Sequence, residues 1–226
     1  MAVIPARAHN DKIDKLNLKN LGCKPLITHT IDEANKSQYI DEIYVSTEDD
    51  DIANISKEHD AVVPFLRPIE LSQSGVTTDD VVRHVVTHIG KKFDIVITLL
   101  PNAPFRSAEI IDDAIGFMLS NNYERVVGIQ KQADSYLYLE NNAYNPLNSE
   151  YGITEDKFMT IFRYGGGILL NTAHAIFIDS NKNLNCGYYL IHEHNARLIR
   201  SIYDLIIAER LIHLHPSLVD SLIKAT

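Results

Sequence analysis

Five cations lie between residues 7 and 24, namely Arg7, Lys12, Lys15, Lys19 and Lys24, against two carboxylates, Asp11 and Asp14. This local excess of +3 stands on a chain whose formal net charge is −9. The stretch follows an apolar run at residues 2–6, and a loop that leaves a strand for a helix is a common place to hold phosphate. The chemistry to expect is oxyanion binding. The loop has no glycine before Gly22, and Ala8 and His9 restrict the close backbone approach and positive φ that a glycine pair would allow. The same lysines would also suit a solvated face. Two further segments end apolar runs in the same way, "TEDDD" at residues 47–51 and "LPNAPFR" at residues 100–106.

Positioning such loops takes a sheet. Apolar runs suited to buried strands fall at residues 2–6, 42–47, 61–63, 94–100 and 125–129, separated by loops or helix-like sequence, a rhythm that predicts parallel pairing. Helical spacing of three and four residues links Ile27, Ile31 and Ala34, then Val81, Val82, Val85, Val86 and Ile89, then Ile110, Ile111, Ala114, Ile115 and Met118. Helix starts are marked by Thr47 ahead of Glu48-Asp49-Asp50, by Thr77 and Thr78 ahead of Asp79 and Asp80, and by Ser107 ahead of Glu109. From about residue 130 to 163 the pattern breaks into Asn- and Tyr-rich sequence, too long for an ordinary connection and expected to be a lid, an insert or an oligomer arm. Strand-like sequence resumes at residues 165–170 and 187–191, and a last amphipathic helix is expected over residues 201–214. Gly165-Gly166-Gly167 is read as a turn before its strand.

With 226 residues, 45% hydrophobic, the chain can bury a large core, and one α/β domain over residues 1–226 is expected. The acidic balance predicts neither nucleic-acid nor membrane binding. Lacking a long apolar run, and with its first strand expected from residue 2, the chain is read as cytoplasmic. Cys23 and Cys186 are read as reduced thiols.

Five stretches, "VIPAR", "NLGCKPLITHTIDEANKSQYIDEIYVSTEDDDIA", "VPFLRPIELS", "PNAPFRSAEIIDDAI" and "YDLIIAERL", in this order and spacing, resemble the acylneuraminate cytidylyltransferase family, the CMP-sialic acid and CMP-Kdo type synthetases. The resemblance implies a three-layer α/β sandwich with a mostly parallel, Rossmann-like sheet of the nucleotide-diphospho-sugar transferase type. It also implies a homodimer whose arm is the 130–163 insert. The activity it implies joins CTP to a hydroxyl of an acidic keto sugar, giving a CMP-sugar and pyrophosphate. Carried over to this chain, the catalytic candidates are Arg7, Lys12 and Asp204, and the substrate-binding candidates are Asn17, Arg67, Thr78, Asn102 and Arg106, with Ala8 and His9 in the first loop. Lys15 is a substitute for a second family lysine. Mg2+ is implied as cofactor, yet its usual ligand positions fall on Leu198 and Arg200, leaving Asp204 as the possible ligand and Arg200 as a possible fixed cation in the metal's place. These departures open a second reading: a member that keeps the fold and binds nucleotide, sugar or a protein partner without turnover.

Two other clusters have simpler accounts. His192 and His194, with His213 and His215, could bind zinc but lack a third ligand at a telling spacing, and surface or interface histidines explain them. The carboxylates at residues 48–51 suit the first turn of a helix. No P-loop, nucleophile-elbow or dinucleotide fingerprint occurs.

Overall fold

In the computed structural model, residues 1–9, 13–132, 136–140, 143–148, 161–178 and 184–214 are described. Strand β1 (Ala2–Pro5) sets the pattern for the layers. Side chains leave a strand alternately, and Ala2 and Ile4 enter one buried cluster while Val3 enters another. The first cluster takes Ile27, Ile31 and Ala34 of α1 (Leu26–Lys36), Ile52 of α2 (Asp50–Glu58) and Ile111, Ala114, Ile115 and Met118 of α4 (Ala108–Ser120). The second takes Val82 and Val85 of α3 (Thr78–Ile89). Helices therefore cover both faces of the sheet, as the three-layer reading expects. Each fully buried Ile or Leu contributes about 1.5–3 kcal/mol.

The central sheet has six strands in the order β10-β6-β9-β5-β1-β4, with β4 (Ile43–Ser46), β5 (Ile95–Leu99), β6 (Arg125–Lys131), β9 (Phe162–Thr172) and β10 (Cys186–Leu190). A short antiparallel pair, β2 (Asn20–Leu21) and β3 (Lys24–Pro25), precedes α1. A separate two-stranded ribbon, β7 (Tyr136–Glu140) with β8 (Ala143–Asn148), lies within the 130–163 excursion. The last helix, α5 (Ile202–Leu214), packs Leu205 and Ala208 with Leu16, Leu21, Leu26 and Ile199 in a third cluster.

Several expectations are corrected. The sheet is mostly parallel, as the resemblance implies, but β9 runs antiparallel to both β5 and β6. Residues 61–63 make only an isolated bridge, Val62 to Tyr44, rather than a strand. Asp49, not Thr47, caps α2: its side chain accepts from the Ile52 N–H, while the buried Thr47 hydroxyl accepts from the Asp49 N–H. Thr77 and Ser107 cap α3 and α4 as expected.

The three glycines form no turn. They lie inside β9, where its register with β6 shifts between Val127 and Ile129, and Gly166 and Gly167 have φ of 68° and 58°. A Cβ on Gly167 would stand 2.9 Å from Leu100 Cβ, and one on Gly166 2.4 Å from Ile191 Cδ1. Glycine is therefore needed at both for conformation and for space.

Candidate functional site

Along the chain, β1 is followed by β4 on one side and then by β5 on the other, so the strand order reverses at β1. Open α/β sheets hold ligands in the crevice beyond the carboxyl ends of the strands at such a reversal. A cleft of about 480 Å³ occupies this place, lined by Pro5 and Arg7 after β1, by Leu100, Pro101 and Asn102 after β5, and by Leu16, Asn17 and Arg67. Its far wall is the segment from Leu71 to Thr78. The size suits a small-molecule ligand. Arg7 and Arg67 are the charged lining residues among those described, so this part of the cleft favours an anion.

Each cation is held differently. Arg7 is exposed, and its guanidinium has no partner among the described residues; its carbonyl accepts from Asn17 Nδ2 at 2.9 Å, which fixes the backbone of the loop. Arg67 is buried, its Nη2 donating to Glu48 Oε2 at 2.6 Å and its Nε to Ser72 Oγ at 2.9 Å. The Ser72 hydroxyl donates in turn to Glu48. The other Glu48 oxygen accepts from the Ala8 N–H at 2.8 Å, so one carboxylate ties the first loop to the base of the cleft. Burial alone would raise the Glu48 carboxyl. The Ala8 N–H, its own N–H, the Arg67 guanidinium and the Ser72 hydroxyl outweigh burial and hold it below its ordinary value.

Arg7, Asn17, Arg67, Thr78 and Asn102 thus line one cleft. Ala8 lies just behind it with its N–H given to Glu48, and the exposed His9 faces Asp14 at 3.8 Å. Lys12 lies outside the described residues. Lys15 turns toward α2, with Nζ 3.2 Å from Asp51 and 3.8 Å from Asp49.

Arg106 is a correction. It lies buried behind the β9 glycines, where its Nη1 donates to the Gly166 carbonyl at 2.6 Å and its Nη2 to the Thr30 hydroxyl at 3.3 Å. It does not line the cleft. Burial pushes its guanidinium down to about 9, which leaves it charged at neutral pH.

Asp204 is a second correction, to a structural role. Its Oδ2 accepts from the Arg200 N–H at 2.9 Å and from the Ser201 hydroxyl at 2.8 Å, closing the start of α5. Burial pushes this carboxyl upward, but these donors and the nearby Arg197 hold it below the usual range.

Beyond the cleft the groove continues. A second hollow of about 370 Å³ shares Thr78 and Leu100 with it. A third, of about 260 Å³, shares Tyr164, Leu198 and Arg200 with the second and is lined also by Lys131, Arg163, Arg197, Glu193 and Asp204.

A family model for cytidylyltransferase matches residues 1–201. The chain belongs to the cytidylyltransferase family. It is similar to the CMP-N,N'-diacetyllegionaminic acid synthase of Legionella pneumophila, 39% identical over 121 residues, which are 51% of each chain. It is also similar to the pseudaminic acid cytidylyltransferase of Campylobacter jejuni, 24% identical over 165 residues, 72% of this chain and 66% of that one. The matched stretch therefore spans about half to two thirds of these relatives. Among solved structures, CMP:2-keto-3-deoxy-manno-octonic acid synthetase complexed with CTP superposes with a TM-score of 0.73, covering 93% of this chain and 97% of that one at 14% identity. That likeness establishes the shared fold.

The Mg2+ positions implied by family resemblance do not fit a hard divalent cation in this chain. Leu198 offers no donor, Arg200 is a cation, and Asp204 Oδ2 is committed to the start of α5. Among the described residues no group of three His, Cys, Asp or Glu side chains could hold a metal ion.

Glu48 was missed as a site residue, because its place in "TEDDD" reads as helix-dipole chemistry. Its position just past the end of β4 was the available signal. Arg200 was read as a possible fixed cation, but Lys131, Arg163 and Arg197 were missed because no single stretch of sequence shows that they converge with it.

Proposed function

We propose that this chain transfers the cytidylyl group of CTP to a hydroxyl of an acidic keto sugar of the sialic-acid type, releasing pyrophosphate. The single observation that carries the reading is the convergence of Arg7, Asn17, Arg67, Thr78 and Asn102 on the cleft at the strand-order reversal, in a chain of this family. The sugar hydroxyl oxygen would form the new bond to the α-phosphorus as the bond to pyrophosphate breaks, with the hydroxyl proton passing to solvent. Catalysis of this kind is mostly positioning and charge stabilisation. Arg7 supplies a mobile cation to the phosphates. Arg67, fixed by Glu48 and Ser72, supplies an immobile one, and Asn17 holds the loop that carries Arg7. Thr78 stands where a hydroxyl can meet the base. No step is assigned to a metal ion.

We place the protein in the cytoplasm as a homodimer. Cys23 and Cys186, both free and exposed, suit a reducing compartment. Exposed Phe162 and Tyr164 on β9 and Tyr188 and Leu190 on β10, the two strands that flank β6, suit a partner copy. No helix among the described residues is long and apolar enough to cross a membrane. Nothing in the named relatives favours binding without turnover.

Calorimetric titration with CTP, with ATP as control, followed by a pyrophosphate-release assay with acidic nonulosonic sugars, tests the reading. CTP-selective binding and sugar-dependent release are expected. Equal affinity for both nucleotides, or no release with any acidic sugar, would overturn it.

A further inference from the structure

The third hollow combines charge and rigidity in a way the proposed reaction has not yet used. Lys131, Arg163, Arg197 and Arg200 line it against Glu193 and Asp204, a local excess of two positive charges on an acidic chain. None of the four cations forms an ion pair among the described residues. Asp204 keeps its charge, which nearby Arg197 feels, but its Oδ2 is held by the Arg200 N–H and the Ser201 hydroxyl at the start of α5.

The scaffold beneath them is tightly specified. Ile199 is fully buried and is pinned twice by Asn102, its N–H donating to the Asn102 carbonyl at 2.8 Å and its carbonyl accepting from Asn102 Nδ2 at 3.0 Å. Leu198 and Arg200, on either side of it, consequently reach the groove. The Gly166 N–H donates to the Ala196 carbonyl at 3.1 Å and anchors the segment to the β9 bulge. Gln130, almost fully buried, sets its amide against Arg163, and the amide orientation that satisfies both groups has its oxygen accepting from Arg163 Nη2 at 3.0 Å and Nε at 3.2 Å.

Guanidinium groups bind oxyanions in a fixed fork, and preorganised ones pay little to do so. A divalent cation placed among four cations that outnumber the two lining carboxylates, none of them in an ion pair among the described residues, would be repelled by kcal/mol amounts even at an effective dielectric constant of about 20.

We infer that Lys131, Arg163, Arg197 and Arg200 form an oxyanion pocket that works without a divalent cation, at the end of the groove away from Arg7. This rests on the proposed function for the identity of the ligand, whose oxyanion is supplied either by the nucleotide phosphates or by the sugar carboxylate.

The test is calorimetric titration of the full chain in EDTA with two probes, inorganic pyrophosphate and N-acetylneuraminate, each repeated with excess Mg2+. One probe binds in EDTA, and Mg2+ gives no gain in its affinity. The Arg197→Ala/Arg200→Ala double variant loses at least tenfold, and the corresponding Lys variants recover part of the loss, which separates lost charge from misfolding. The probe that binds identifies the source of the oxyanion. Failure of both to bind in EDTA, dependence on Mg2+, or unchanged affinity in the double variant overturns the pocket. If CTP does not bind while a probe does in EDTA, the proposed function fails and the pocket stands. If CTP is turned over only with Mg2+, the function stands and the pocket fails.

Discussion

Arg67 and Glu48 meet at 2.6 Å with side chains only 3% and 12% exposed, and the remaining Glu48 oxygen holds the Ala8 N–H. A buried pair that also anchors a loop is costly to break from one side, because the cation left behind is uncompensated. Glu48→Gln should lower unfolding free energy by about 2–3 kcal/mol in urea titrations. It should also weaken CTP binding, since the first loop loses its tether. Unchanged stability would mean that the pair contributes nothing net.

The Glu48 and Asp204 carboxyls both lie below their ordinary values in the folded chain. A depressed folded pKa stabilises the fold above the unfolded value, about 4, and the contribution is lost as pH falls through the lower folded value. The urea midpoint should therefore vary little in this respect from pH 7 to 5 and fall below about pH 4. Glu48→Gln should make that acid limb shallower, and an identical limb in the variant would rule out Glu48 as a source.

Arg7 is exposed and its guanidinium is unpaired among the described residues. Arg7→Ala should leave thermal stability within about 0.5 kcal/mol of the parent, as for other surface changes. It should weaken CTP at least tenfold, with a smaller dependence on salt than the parent shows. Binding indistinguishable from the parent would remove Arg7 from the site.

Arg106 serves the β9 bulge. Arg106→Met should leave the Gly166 carbonyl without its Arg106 donor, while the Gly167 carbonyl keeps the Leu100 N–H, and lower stability by about 2–4 kcal/mol. At a temperature where the variant stays folded, its affinity for CTP should match the parent. A selective loss of CTP affinity without loss of stability would return Arg106 to the binding residues.

Gly167→Ala would add a Cβ 2.9 Å from Leu100 Cβ at a φ of 58°. Strain and overpacking together predict a loss of about 2–4 kcal/mol, read as a drop in melting temperature. A melting temperature equal to the parent's would show that the bulge can shift.

Much of the fold was legible because its signals are local. Alternation at residues 2–4 and three-four spacing in α1 and α4 follow from which face is buried, and Thr77 and Ser107 mark their helices by hydrogen bonds a few residues long. The antiparallel course of β9 was not legible, since an apolar run has no direction. The five residues sharing the cleft were found through a family resemblance, and the strand-end positions of Arg7 and Asn102 agree with it. Arg106 and Asp204 were misread because a charged residue in a site motif looks the same whether it faces ligand or backbone. Only three-dimensional partners such as the Gly166 carbonyl and the Ser201 hydroxyl separate the two cases.

The position of β9 between β5 and β6 also governs the order in which the chain can assemble during synthesis. Strands β4, β1 and β5 pair with one another, and that half of the sheet is complete by residue 99. Strand β6 finds its partners only in β9 and β10, both made later. A nascent chain halted before residue 162 therefore carries β5 with an open edge and β6 without any sheet neighbour among the described strands. The cleft residues Arg7, Asn17, Arg67, Thr78 and Asn102 are all made before that point, whereas the Ile199 contact that fixes Asn102 comes after β9 and β10. Growth at the ribosome thus supplies the cleft residues first and fixes Asn102 only once residue 199 has been made.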